Sequence, residues 1–556
     1  MKIGLILLLP LIIFHTGSGI AQTITFDIDH NSALGPLKPF REVNIGPDSC
    51  KLGYRKMGIR NVRTHDYYGP CDYWYYTNNY YLPSTNSFNP SFNPTLPASY
   101  NWTETDSTIN RILAVEAIPY FRLGISYPQA GVPTIPPIDP NNSTFTTIAS
   151  VFKHTAMHYT QGWNNGFTHN IEYWEIWNEP DGMFWSPPNG TPLNYFKMYA
   201  TVSDSLKLLN PAFKIGGPGA LAGTIVAHNK TYYDYFINYC HTHNTALDFY
   251  SWHVYGCFNP YSIKNFADTV RYVLDNNGFP DAESHISEIN PQLGNPIYDN
   301  TAKGAAYVAS LMITGQEAEI DQIYWYRGTG LGRLTSPDKN GLARLTFNGM
   351  SYMFFNWMTS ETNNRLYSSG NQVINFFFNR DTTNIMTLAS KSITGDTVDI
   401  LVSHYNSTFN DIDLHLNNTP WLPEHLIKIE RYTISGLPAS LTMSEQTISG
   451  GNNLFISIQS VPSPSVLLFR ISKAGSVGAP GLINSEMISL IYPNPAEDFA
   501  GIISREETQV YLLDASLRQL QSIRLKKGEN RVHLAGLTPG IYYIAGDNVI
   551  KKLVVK

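Results

Sequence analysis

Cysteine is scarce: the 556-residue chain has four, Cys50, Cys71, Cys240 and Cys257. So few thiols in so long a chain exclude a disulfide-framed scaffold, and with no tight Cys or His spacing beside them no metal site is expected. Sequence proximity favours Cys50 with Cys71 and Cys240 with Cys257 among the three possible connectivities, with free buried thiols as the even alternative. Charge is thin as well, 38 Lys plus Arg against 44 Asp plus Glu for a formal net charge of −6. No basic stretch is dense enough to hold nucleic acid, so none is expected as a partner. Beyond the first residues there is no long apolar run, and no membrane span is expected.

The first residues read differently. Met1-Lys2-Ile3-Gly4 gives a positive start, Leu5 to Phe14 an apolar core, and Gly17 to Ala21 a small-residue end. That is the pattern of a secretory signal peptide over 1–21 with cleavage after Ala21, the apolar run being too short to span a bilayer. The mature chain is expected to be exported. Its 35 Tyr and 10 Trp suit a protein that packs sugar rings against aromatic faces.

Length implies about two to four units. From Phe40 onward, short strands alternate with helix-length stretches. The strand candidates are Phe40 to Ile45, Ile59 to Thr64, Ile118 to Ile125, the run ending at Asn178, Phe213 to Ile215, Leu247 to Val254, His285 to Ile289 and Gln322 to Tyr326. Eight alternations predict a closed (β/α)8 barrel over 22–360. The runner-up, a doubly wound open sheet, lacks its Gly-rich phosphate turn after the first strand. Over 361–472 helical periodicity disappears, and Val373 to Phe378, Thr397 to Ser403, Ile427 to Thr433 and Ser465 to Ile471 read as strands of an accessory β-sandwich, which the strand near Ile24 can join. A linker over 473–488 leads to a small β-domain over 489–556.

The candidate chemistry sits at strand ends. In Tyr173-Trp174-Glu175-Ile176-Trp177-Asn178-Glu179-Pro180, pairing must stop at the proline, which leaves Glu179 at the end of the fourth strand beside apolar walls. A carboxyl there can carry a raised pKa and donate a proton near neutral pH; the plainer reading is a Glu that ends a strand in solvent. Glu288, in Ser287-Glu288-Ile289-Asn290-Pro291, ends the seventh strand across the mouth. Two such carboxylates suit glycosidic cleavage, with retention at a separation of about 5–5.5 Å and inversion at about 6.5–9.5 Å. Arg63 and His65 close the second strand, His253 and Tyr255 the sixth, Trp325 and Arg327 the eighth, and Asn178 stands beside Glu179; all seven are candidate substrate-binding residues. Arg63 can also hold Glu288 ionised. The run Tyr73-Trp74-Tyr75-Tyr76 is either a stacking wall or loop packing.

Asn178-Glu179-Pro180, Val62-Arg63-Thr64-His65, Lys214-Ile215-Gly216-Gly217-Pro218 and Ser287-Glu288-Ile289-Asn290 together resemble glycoside hydrolase family 39, which includes β-xylosidases and α-L-iduronidases. The resemblance covers roughly Phe40 to Ser472. It implies retention of anomeric configuration, Glu179 as acid/base, Glu288 as nucleophile and no metal or organic cofactor. The expected substrate is an oligo- or polysaccharide, first a β-xyloside. An endo-acting enzyme, an iduronidase-like enzyme drawing on Arg327 or Arg333 for a uronate, and a barrel that binds glycan without cleaving it are the rivals. The tail, with Tyr492-Pro493-Asn494-Pro495 near its start and Gly540-Ile541-Tyr542-Tyr543 near its end, is similar to type IX secretion sorting domains of Bacteroidetes. That implies the type IX machinery as a partner, release or surface attachment as the destination, and removal of the tail.

Overall fold

The computed structural model describes residues 23–556 apart from 66–68, 79–80, 83–86, 127–136, 138, 140–142, 184–190, 223–224, 226–229, 338–342, 372–384, 408, 475–487, 493–494, 505–506, 516–517 and 547–548. The expected signal peptide, the Val373 to Phe378 strand and most of the expected linker lie outside the described residues.

Eight parallel strands close into a barrel: Glu42–Asn44, Asn61–Arg63, Ile118–Leu123, Tyr173–Ile176, Lys214–Leu221, Phe249–Tyr255, Glu283–Asn290 and Gln322–Trp325. Closure comes from the eighth strand pairing with the first, Trp325 opposite Val43. Alternation of side chains sorts each strand into an inward and an outward set. Trp174 and Ile176 face the helix layer, where the indole stacks on Phe121 at 5.2 Å. Inside, Tyr120, Phe249 and Tyr324 pack with Tyr173 and His285 and plug the amino-terminal end of the barrel. The polar residues of the next layer are thereby held at the opposite mouth.

Two strands depart from simple alternation. Along the seventh strand the pairing with the sixth shifts between Ile286 and Glu288, so Ser287 is an extra residue; along the fifth it shifts between Pro218 and Ala220, so Gly219 is extra. A bulge re-aims the side chains beyond it. His285 points inward and Ile286 outward; after the bulge Glu288 points inward again and Ile289 outward. Uninterrupted alternation would have turned Glu288 toward the helices.

Thr23–Pro36 belongs to the second body. There one continuous nine-stranded sheet runs in the order Ser440–Ser449, Leu426–Ser435, Ser465–Lys473, Thr397–His404, Ile385–Lys391, Asn364–Ser368, Thr23–Pro36, Asp411–Asn417 and Asn453–Ile458. It folds over its own core of Phe26, Ile400, Leu414, Leu454 and Phe469, so the layers of the sandwich are joined by hydrogen bonds. Its other face, with Leu401 and Leu468, packs on the barrel. Helix Ala302–Gly315 is buried at every position but Lys303, as a helix apolar all round must be when it lies between two bodies. Arg470, bonded to Asp399 at 3.0 Å and Glu361 at 2.6 Å, and Ser310, 2.9 Å from Ser403, satisfy polar groups along that seam.

All four cysteines are buried thiols outside any disulfide. Each packs in its own neighbourhood, Cys240 in helix Phe236–Thr242 and Cys257 with its thiol donating to the Asn259 carbonyl. Among the described residues no helix is long and apolar enough to cross a membrane.

Candidate active site

The mouth is organised by Arg63, whose side chain is wholly buried at the end of the second strand. Its Nε donates to Glu175 Oε2 at 2.5 Å, Nη1 to Glu288 Oε1 at 2.6 Å and to Asn44 Oδ1 at 3.1 Å, and Nη2 to Asn178 Oδ1 at 2.9 Å. A planar guanidinium can serve these acceptors together where a lysine ammonium cannot. The Glu175 and Glu288 carboxylates keep Arg63 charged despite its burial.

Glu288 accepts a second strong hydrogen bond from the Tyr255 hydroxyl at 2.5 Å, and His65 Nε2 lies 3.5 Å from it. Burial, then the Glu288 charge, pushes the Tyr255 hydroxyl well above its usual range, so it stays a donor. His65 is held well below its usual value by burial and by Arg63, so it is neutral. Its Nδ1 is buried with no hydrogen-bond partner among the described residues.

Glu179 stands at a strand end whose backbone turns through positive φ twice, 80° at Trp177 and 45° at Glu179. Such conformations cost about 1–3 kcal/mol each and persist where neighbours over-determine them. Here Trp177 N donates to Leu123 O at 2.7 Å and Glu179 N to Gly219 O at 3.2 Å. The Glu179 side chain keeps 26% of its surface accessible, yet burial still pushes its carboxyl up to about 7 against the pull of Arg63. His253, buried and pushed down to about 4 by that burial, sets its Nδ1 2.9 Å from Glu179 Oε1 and its Nε2 3.7 Å from Glu288 Oε1. One ring thus spaces the two carboxyl groups.

Ligand atoms of Glu179, His253 and Glu288 all lie within 4.8 Å of one another. These residue types also hold divalent ions, but His253 turns a different nitrogen to each carboxylate, and Arg63 already provides the positive charge on Glu288. The separation is close to that of a retaining pair and well short of an inverting one. The arrangement can present a protonated carboxyl on one side of a glycosidic bond and a carboxylate on the other.

Asn178 is fixed at both ends, its Nδ2 donating to Ser126 O at 2.8 Å. Ser126 is in turn held by Asp72, which also pairs with Arg122. Gly219 fits because its φ is +64° and a Cβ there would lie 3.2 Å from His253 Nε2. Asp181 accepts from Leu221 N at 2.9 Å, and burial pushes its carboxyl up to about 7.

Trp325 does not join this group. Tyr324 points into the barrel, so Trp325 points out; its ring packs on Tyr307 and its Nε1 donates to Gly332 O at 2.7 Å. The next residue, Tyr326, takes the place expected of it, with its ring 5.5 Å from His65 and 5.9 Å from Tyr255. Arg327 lies half-buried beside Tyr326, its guanidinium 5.9 Å from that ring and its Nε without a hydrogen-bond partner among the described residues. Tyr73 and Tyr76, on the short helix Tyr73–Tyr76, are buried against Phe152 and Trp102, in line with the packing reading, whereas Tyr75 is exposed. Glu175, Asn44 and Tyr326 are the mouth residues that sequence reasoning missed; parity along the fourth strand would have turned Glu175 inward.

The model of glycosyl hydrolases family 39 matches residues 48–333. That stretch runs from just after the first barrel strand to just past the eighth. The chain belongs to family 39. The secretion system C-terminal sorting domain matches residues 490–556, which marks the protein for secretion or surface attachment. A β-xylosidase of Geobacillus stearothermophilus is 26% identical over 325 residues, 50% of this chain and 59% of that protein. This family 39 chain therefore aligns with less than two thirds of that relative's length. A glucosidase from Croceicoccus marinus shares the fold at a TM-score of 0.61 and 20% identity, over 81% of this chain and 99% of that one. A monomeric β-xylosidase from Caulobacter crescentus CB15 does so at a TM-score of 0.56 and 14% identity, over 81% and 99%.

Proposed function

We propose that this family 39 protein hydrolyses β-xylosides with retention of configuration, Glu179 serving as acid/base and Glu288 as nucleophile. The observation that carries the reading is the spacing of the two carboxyl groups, within 4.8 Å with His253 between them. In the first step Glu288 attacks the anomeric carbon and forms an ester bond to the sugar while the bond to the leaving oxygen breaks; Glu179 gives that oxygen its proton. In the second, Glu179, now a carboxylate, takes a proton from water, whose oxygen displaces Glu288 from the sugar. Arg63 and Tyr255 hold the attacking carboxylate in place through directed hydrogen bonds. Asn178, His65 and Tyr326 are the groups assigned to the sugar's hydroxyls and ring.

The xyloside assignment draws on the Geobacillus stearothermophilus β-xylosidase. The half-buried guanidinium of Arg327 beside Tyr326 favours a second reading, a uronic-acid glycoside whose carboxylate it would pair. Entry to the export route by a cleaved signal peptide over 1–21 belongs to the same proposal. Hydrolysis of a panel of aryl glycosides by the full chain, with Glu288→Ala as control, tests it. Release from the β-xyloside that is lost in the control and partly restored by azide supports the reading. Release from the glucuronide or iduronide instead moves the substrate to the second one, and release that survives Glu288→Ala sinks the mechanism.

A further inference from the structure

We infer that the C-terminal sorting unit is docked on the enzyme body through a second apolar face of its own, and that this face is a binding surface for the junction of barrel and sandwich. The unit is a three-stranded sheet, Ile488–Tyr492, Phe499–Ser504 and Gly528–His533, packed on a four-stranded one, Gln519–Leu525, Thr508–Asp514, Gly540–Gly546 and Val549–Val555. In the four-stranded sheet Leu512, Ile544 and Leu553 point into the unit's own core. The alternate residues Leu513, Ile541 and Tyr543 are apolar too, and they are buried in the same cluster as the barrel. A solvated sheet face carries polar residues there. A sheet apolar on both faces needs a cover on each.

Two lysines mark the contact from opposite sides. Lys56, in helix Lys51–Met57 of the barrel, is fully buried with its Nζ 3.7 Å from the centroid of the Tyr543 ring. It has no hydrogen-bond partner among the described residues; the ring face of the sorting unit is what meets its charge. Burial, with Lys552 close by, pushes its ammonium down to about 7. From the other side Lys552 reaches the sandwich, donating to the Tyr432 hydroxyl at 2.6 Å and to Glu430 Oε1 at 3.2 Å. A lysine on a short surface helix is normally bathed in water; Lys56 is dry because the sorting unit covers it. Release of the unit uncovers Lys56 and the apolar patch around Tyr432.

Acetylation of the full chain by an amine-reactive reagent, followed residue by residue by mass spectrometry, tests the docking. Exposed Lys51 in the same helix is the internal standard. Protection by docking slows Lys56 roughly tenfold or more relative to Lys51. The protection is lost both in Ile541→Asp/Tyr543→Asp and in a chain cut at a protease site placed within 475–487 and freed of its tail. Equal rates at Lys56 and Lys51 in the intact chain overturn the proposal. So does a Lys56 that stays slow after the tail has been removed, since the enzyme body would then cover it unaided.

Discussion

Arg63 and Glu288 form a buried ion pair across the barrel, from the end of the second strand to the end of the seventh, with Nη1 2.6 Å from Oε1. The same guanidinium holds Glu175 at 2.5 Å. A cation shared by two buried carboxylates matters less for net stability than for what its loss leaves behind.

Replacing Arg63 by Met leaves both acidic partners buried without their cation. The expected destabilisation is about 3–5 kcal/mol, with turnover lost. Arg63→Lys recovers part of the stability and little of the turnover, because a point charge cannot keep four acceptors in register. Urea unfolding and turnover on an aryl glycoside, measured on both variants, check the ordering.

The pH dependence is set by Glu179. Its carboxyl is raised to about 7 by burial, and the acid must be protonated to act. Turnover should therefore fall as pH rises through about 7, by about tenfold per unit beyond it. In Glu179→Gln that alkaline limb disappears for a substrate with a good leaving group. The folded state binds this proton more tightly than the unfolded chain, so its contribution to stability is complete below about 4.5 and is lost as pH rises to about 7. Thermal unfolding above pH 7 should find Glu179→Gln more stable than the wild type.

Gly219→Ala tests the bulge on the fifth strand. A Cβ at 219 meets His253 Nε2 at 3.2 Å on a backbone of φ +64°. The ring that spaces the carboxyl groups has to give by a few tenths of an ångström. Because a misplacement of about 1 Å at such a site can cost about 10²-fold, a smaller loss of roughly several-fold in kcat is expected. The measurement is kcat with the thermal midpoint as companion; a midpoint that falls while kcat stays at the wild-type value contradicts the assignment.

Tyr255→Phe removes one hydroxyl and leaves the ring. Glu288 then keeps Arg63 but loses its 2.5 Å donor, and turnover should drop about 10–10³-fold with little change in stability. Steady-state kinetics beside a denaturation curve separate the two effects.

The eight barrel strands were legible because each is a short apolar run stopped by Gly, Pro or a polar cluster, and Glu179 because Pro180 ends its strand. Side-chain direction at strand ends was not. Trp325 reads as a substrate-binding candidate at the end of the eighth strand, yet one position of parity turns it to the helix layer and gives the mouth to Tyr326. Glu288 faces the mouth only because Ser287 is an extra residue in its strand, and a bulge leaves no mark in a count of alternation. Glu175 reads as one member of a buried run, and only the fold brings Arg63 against it. Docking of the tail was equally hidden: strands with apolar residues at successive positions signal burial on both faces without saying what covers the second.

The most direct test of the central claim is the anomeric form of the first product. Proton NMR during the opening turnovers on an aryl β-xyloside should show β-xylose appearing first and mutarotating later to the equilibrium mixture. α-Xylose appearing first would mean inversion, and Glu288 could not then be the nucleophile.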